Sequence, residues 1–281
     1  MKKSFKYIIW ILVILFIVVY GWFSFVKPNE ADSKTVTIGI MSGSRVDDQV
    51  WNQVTKNAKK DYGLTLKFKK FTDYSQPNRA LTSHDVDINA FQTPSYCDNW
   101  NKSNHTNIKN IGFTYVSPLR LYSKKIKSVK EIPNGATISV PNDASNEDRA
   151  LKVLQSAGLI KLDTKAQFAS VKSVISNPKH IKIKELDAAQ TASSLSSVTA
   201  SVINGDFALS AQLPTKYAIY REPLNKNTEP YFNVISVNGK DKNNKVYKEV
   251  VKAYQQPSVA KVYKQASHGL LIPAWNIKLN K

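Results

Sequence analysis

The sequence predicts an α/β fold of two lobes with a ligand cleft between them, preceded by one apolar N-terminal helix, and three observations carry that prediction. Strand-like and helix-like segments alternate from residue 35 onward, they fall into two sets, and a strand with two helices returns after the second set. Alternation of this kind gives largely parallel sheets covered by helices. The chain has 281 residues, enough for two lobes with a core in each, and 42% apolar against 22% charged residues is a globular composition.

The N-terminus comes first. Lys2, Lys3 and Lys6 precede an uncharged stretch over residues 7–26, YIIWILVILFIVVYGWFSFV. At about 1.5 Å per residue such a helix is long enough to cross a bilayer core, and the preceding lysines favour a cytoplasmic N-terminus. A cleaved signal peptide is the rival reading, but its apolar core is about 7–15 residues long and ends in a small-residue site, which GWFSFVKPNEADS does not offer. The one cysteine, Cys97, lies far downstream, so none follows the apolar run as lipid attachment requires. The expectation is a transmembrane anchor over residues 1–26, a polar tether over 27–34, and a binding domain outside the cell membrane over 35–281.

Within that domain TVTIGIM (35–41) is a β-branched strand broken by Gly43 and Ser44. Val50, Trp51, Val54 and Ala58 recur at helical spacing over residues 47–61. LTLKFKKF (64–71) alternates as a half-buried strand, residues 78–83 suit a short helix, and DVDINAF (85–91) another strand. The second set starts near residue 124. ATISVP (136–141) is a strand, Ser145 opens a helix with Asp148 three residues on as a capping-box variant, and Gly158 stops it. HIKIKEL (180–186), SVTASVI (197–203) and PYFNVISV (230–237) are further strands, and residues 244–254 and 258–266 are helical. Lobe 1 is expected over about 35–120 plus 214–281, and lobe 2 over 121–213. The cleft between them, at strand C-terminal ends, is the place for a ligand.

Charge and motifs exclude several functions. The net charge is +19, from 40 Lys and Arg against 21 Asp and Glu. The lysines are spread along the chain without interleaved aromatics, which argues against nucleic acid and for a generally basic surface. Four histidines show no ligand spacing, and a single cysteine supports neither a disulfide nor a multi-cysteine metal site. No nucleophile elbow, phosphate loop or dinucleotide fingerprint is present, so neither an enzyme nor a cofactor is expected.

The stretches FTDYSQPNRAL (71–81), DINAFQTPSY (87–96), IPNGATISVPNDASNEDRALKVLQSAGLIKL (132–162), NPKHIKIKEL (177–186), VINGDFAL (202–209) and EPYFNVI (229–235) together resemble the NlpA lipoprotein family. They occur in the family's order. The resemblance implies a type II periplasmic-binding-protein fold that closes on its ligand. It also implies an amino acid as that ligand, methionine or a close derivative or short peptide, and an ABC permease as the partner.

The candidate ligand residues are Arg149, Tyr74, Phe91, Tyr96, Asn204, Asn233, Asn146, Thr93 and Gln92. Arg149 stands one turn into a helix that follows a strand end, where its fork can grip a carboxylate bidentately and helix amides add to the attraction. A surface Arg beside Asp148 is the plainer reading, and the resemblance places the carboxylate-holding Arg here. Tyr74, Phe91 and Tyr96 suit the walls of a slot for a thioether; Tyr74 and Tyr96 lie in polar, loop-like surroundings, which favours a cleft over a core. Asn146, Asn204 and Asn233 offer donors and acceptors together, and the resemblance aligns Asn204 and Asn233 with ligand contacts. Gln92 neighbours the slot and can also simply support it. Two departures bear on the ligand: Thr93 stands where methionine binders have a histidine, and Thr199 where they have an acid. They leave the amino-acid class firmer than methionine itself. A surface-interaction protein with a weakened pocket is the alternative.

Overall fold

The computed structural model describes residues 34–163 and 165–279. The first sheet takes β1 (Thr35–Met41), β2 (Thr65–Phe71), β3 (Ile88–Asn89), β4 (Ile108–Phe113) and β13 (Val234–Asn238) in the order β2-β1-β3-β13-β4. β1 and β3 are parallel, with Ile38 opposite Ile88, while β13 runs antiparallel to both its neighbours. The second sheet has the order β10-β7-β11-β6-β12, from β6 (Arg120–Tyr122), β7 (Thr137–Pro141), β10 (Lys182–Leu186), β11 (Ala200–Ile203) and β12 (Ala218–Arg221). Here β7 is parallel to β10 and β11, and β6 is antiparallel to β11 and β12. Short ladders join β5 (Tyr115–Val116) to β14 (Ile272–Pro273) and β8 (Lys161–Leu162) to β9 (Val174–Ser176).

Each sheet has its own core. The helix α1 (Arg45–Tyr62) begins at Ser44, whose hydroxyl accepts from the Asp47 amide, and ends at Gly63 with φ 71°. Its apolar face buries Val50, Trp51, Val54 and Ala58 against β1 and against the C-terminal helices α6 (Lys245–Tyr254) and α7 (Pro257–Ala266). β2 is an edge strand, and it is less buried than its alternation suggests: Leu66 and Phe71 are covered, whereas the lysines between them are exposed, which discourages pairing with another chain. The second core lies under α4 (Ala144–Ser156), whose Ala150, Leu151, Val153 and Leu154 are fully buried. A third apolar cluster draws on both sheets and includes Met41 and Phe91 from the first side and Tyr122 and Ile203 from the second.

Several sequence expectations are corrected. Asp143, not Ser145, caps α4: its carboxylate accepts from the Asn146 amide, and Ser145 instead donates to Ser95. The capping acid thereby takes one of the amides expected to attract a ligand anion. Residues 94–104 form a helix, α3 (Pro94–Asn104), so Tyr96 sits in a first helical turn and not in a loop. Apart from Cys97, no residue of α3 is buried, which is why its apolar periodicity is faint in the sequence. β12 belongs to the second sheet, beyond the lobe limit expected at residue 213. All four histidines occupy left-handed turn positions, with φ between 48° and 64°. Among the described residues no helix is long and apolar enough to cross a membrane; the longest, α1, is amphipathic and charged along its outer face. The transmembrane helix expected at residues 1–26 and all but the last residue of the tether expected at 27–34 lie outside the described residues, so the fold class reduces to the two-lobed α/β unit.

The chain crosses from the first sheet to the second at residues 117–119 and leaves the second sheet at Glu222. These two segments run side by side. The Glu222 amide donates to the Leu119 carbonyl at 2.8 Å, and the Glu222 carboxylate accepts from the Leu119 amide at 2.8 Å.

Candidate functional site

A cavity of about 30 Å³ lies where the two sheets' connecting loops meet, so the site as it stands is nearly closed. All nine candidate residues line it, together with Ser117, Gly205 and Asp206. Tyr74 precedes α2 (Ser75–Thr82), Phe91, Gln92 and Thr93 form the loop between β3 and α3, and Asn233 leads into β13. From the other side come Asn146 and Arg149 on α4, and Asn204 with α5 (Gly205–Ser210).

The aromatic wall is a triangle. Tyr74 and Phe91 have ring centroids 5.8 Å apart, and Tyr96 stands 5.9 Å from each at steep angles. Edge-on packing of this kind suits the ring quadrupoles and leaves faces available for an apolar or thioether group. Phe207 closes on Tyr74 from behind at 4.8 Å.

Arg149 is held differently from the expectation. It is 4% exposed, and its Nε and Nη2 form a fork on Glu222, at 3.0 Å to Oε1 and 2.6 Å to Oε2. Nη2 also donates to the Ser117 carbonyl at 2.9 Å, and the guanidinium lies 4.8 Å from the centre of the Tyr231 ring. The bidentate face is thus occupied by an internal carboxylate, and Nη1 is the edge that makes no hydrogen bond to a described residue. A ligand carboxylate would meet this Arg end-on. The sequence offered no sign of Glu222, which is 73 positions away and lies just past a strand.

The amides have distinct duties. Gln92 is fully engaged in a buried ring: Asn78 donates to its oxygen, its nitrogen donates to Asn89, and Asn89 donates to Asn78. It supports the loop. With its amide turned so that nitrogen faces the Phe91 and Gln92 carbonyls, Asn233 donates to them at 3.0 and 3.3 Å and pins that loop from the other side. Asn204 donates to Asn146 at 2.7 Å, and Asn146 donates to Asp143. The Asn204 oxygen has no partner among the described residues although it is buried. Thr93 caps α3, accepting from the Tyr96 amide at 3.2 Å, and so orients Tyr96. Thr199 does not line the cavity; its carbonyl accepts from Ser123.

Asp206 escaped the sequence reading although it lies two residues past Asn204 in the same motif. It is buried and receives the Tyr115 hydroxyl at 2.6 Å and the Tyr74 hydroxyl at 3.0 Å. Burial pushes its carboxyl above the usual range, against the pull of those two hydroxyls. Behind it on α1, Asp47 is pushed up to about 7, first by burial and then by the charge of Asp206. Gly205 is required between Asn204 and Asp206, because a Cβ there would overlap the Ser117 side chain, coming within 2.7 Å of its Cβ.

The NlpA lipoprotein family model matches residues 36–275. The chain belongs to the NlpA lipoprotein family. One NlpA-type relative, described as a probable D-methionine-binding lipoprotein MetQ of Pasteurella multocida, is 36% identical over 250 residues, covering 88% of this chain and 89% of its own length. Among solved structures, a nutrient-binding protein from Burkholderia cenocepacia bound to methionine is similar with a TM-score of 0.81 at 46% identity, covering 85% of this chain and 99% of that one. The substrate-binding protein of a methionine transporter from Streptococcus pneumoniae gives a TM-score of 0.81 at 42% identity, covering 86% and 96%. These matches bear out the two-lobed fold and the family resemblance. They also correct the anchor: the family and the curated relatives are named as lipoproteins, so the expectation of a single-pass anchor without lipid does not stand.

Proposed function

We propose that this chain is the solute-binding protein of an ABC importer and carries an amino acid, methionine or a close derivative or short peptide. The observation that carries the reading is that one cavity is lined both by Arg149 and by the aromatic triangle of Tyr74, Phe91 and Tyr96, the two kinds of group that an amino acid with an apolar side chain needs. Nη1 of Arg149 takes the ligand carboxylate, and Tyr74, Phe91 and Tyr96 take the side chain, where thioether–ring contacts are worth roughly 0.3–1.5 kcal/mol each. Closure of the two lobes about residues 117–119 and Glu222 would enclose the ligand, and differential affinity for the closed state would shift the population presented to the permease. The relatives' names support this ligand class and do not favour a surface-interaction role. A family of binding proteins also points away from catalysis.

Titration calorimetry of the purified protein against L- and D-methionine, methionine dipeptides and other apolar amino acids tests the proposal. Saturable binding of at least one methionine compound is expected. Absence of heat with every member of the panel would refute it.

A further inference from the structure

Asp206 is a buried carboxylate without a cation. Its two oxygens accept from the Tyr115 and Tyr74 hydroxyls, which are neutral and leave its charge uncompensated. The titratable groups that face it are Tyr74 ahead of α2, Tyr115 on β5 and Asp47 on α1, with Tyr254 and Tyr263 of α6 and α7 further back. None of these is a cation, and no Lys, Arg or His among the described residues forms an ion pair with it. Arg149, the cation on the same cavity, is already matched to Glu222.

The second observation is independent. The Asn204 oxygen, on a residue only 7% exposed that lines the same cavity, has no hydrogen-bond donor among the described residues. Its own nitrogen is committed to Asn146, so the oxygen is what the side chain has left to offer. The side chains of Asn204 and Asp206 therefore present acceptors alone, at the start of α5, while Arg149 presents a donor edge. Buried acceptors are ordinarily satisfied, and a buried charge is ordinarily paired.

We infer that Asp206, with the Asn204 oxygen beside it, is the subsite for a protonated primary amine, so that the protein selects ligands carrying a free ammonium group and rejects N-acylated or des-amino acids. The inference deepens the proposed function and rests on it. An ammonium has three donors and one positive charge, which fits two buried acceptors and one unmatched carboxylate. The amine would thus be read by Asp206 and Asn204 on the same cavity as the guanidinium, and a peptide ligand would have to place its amino terminus there. Ligand entry would also release a proton whenever Asp206 is protonated beforehand, because the incoming cation favours the ionised carboxyl.

The test uses calorimetry on the full-length protein with L-methionine, N-acetyl-L-methionine and 4-(methylsulfanyl)butanoate, in which hydrogen replaces the amine. The wild-type protein is expected to bind methionine at least about 30-fold more tightly than either analogue, since loss of one partner of a buried charge pair has effects of that size. Asp206→Asn should lose about the same factor for methionine and leave the des-amino compound within about 3-fold. In the wild-type protein methionine affinity should fall as pH is lowered and Asp206 takes up a proton, and the Asn variant should flatten that profile. Equal wild-type affinity for methionine and the des-amino acid overturns the assignment while the amino-acid reading stands, and this comparison needs no variant to fold. Equal weakening of both compounds by Asp206→Asn overturns it too, as the mark of a purely structural residue. If no compound binds, the ligand class itself has failed and the inference falls with it.

Discussion

Replacing Glu222 by Gln isolates the ion pair that fixes Arg149. The pair is deeply buried, with side-chain exposures of 5% and 8%, and Glu222 also accepts from the Leu119 amide. Removing one charge from a buried pair destabilises by about 3–5 kcal/mol, because the partner stays behind uncompensated. Gln keeps one acceptor oxygen for the guanidinium, so the expected loss is at the lower end, about 3 kcal/mol. For a domain of this length that corresponds to a fall in Tm of roughly 6–12 °C. Urea unfolding followed by tryptophan fluorescence, with and without saturating methionine, measures it. A carboxylate ligand supplies a new partner for the stranded guanidinium, so the methionine-induced stabilisation should be larger in the variant than in the wild type. A double change, Arg149→Met with Glu222→Leu, should cost less stability than Glu222→Gln alone, since no buried charge is then left unmatched. A Glu222→Gln variant within about 1 kcal/mol of the wild type would refute the argument and mean that solvent reaches the pair.

Three further outcomes are expected. Gly205→Ala should weaken methionine binding by at least about 10-fold, because its Cβ meets Ser117 at contact distances no backbone-fixed pair tolerates; adding Ser117→Gly should restore most of the affinity in the same titration. Asp47→Asn should change how stability depends on pH. The Asp47 carboxyl rises from 3.8 to about 7 on folding, so its contribution is fully present below pH 3.8 and is lost as pH rises towards 7. The Asn variant should escape that loss, worth up to about 4 kcal/mol between acid and pH 8, and parallel unfolding curves for the two proteins at both pH values would contradict this. Cys97 is 1% exposed and its thiol is pushed up to about 12 by burial, so a disulfide reagent should leave it unmodified in the native protein and titrate it fully in denaturant.

The sequence made the scaffold legible where local pattern and burial coincide. Val50, Trp51, Val54 and Ala58 announce the inner face of α1, and all are buried. Gly158 announces the end of α4 and takes a left-handed turn there, with φ 76°. α3 was hidden because a helix lying over a cleft buries too little to imprint a period. In the site, aromatic and amide residues could be nominated from motifs and their polar surroundings. The groups that govern them could not. Glu222 and Ser117 act on Arg149 across 73 and 32 positions, and Tyr115 reaches Asp206 across 91. Such pairings arise only when two sheets are brought together, and no spacing along the chain encodes them. Thr93 illustrates the converse: it reads as a missing histidine by comparison, yet its local chemistry is that of a helix cap, which the neighbouring Pro94 already signals.

The grip of Arg149 on Glu222 and Ser117 has a consequence for how far this protein can drift towards new cargo. The guanidinium that lines the cavity also ties Ser117 to Glu222 in the two connecting segments, so a change of side chain there would unsettle those segments along with the proposed recognition of a carboxylate. Substitutions at Asp206, Thr93 or the aromatic triangle carry no such double burden, since none of these touches the segments at 117–119 and 222 through a hydrogen bond or ion pair. If the proposed function holds, diversification should therefore run through Asp206, Thr93 and the aromatic triangle: the acid terminus of the cargo would be retained by the mechanics of the joint, and its amine and side chain would be where a new diet can be written.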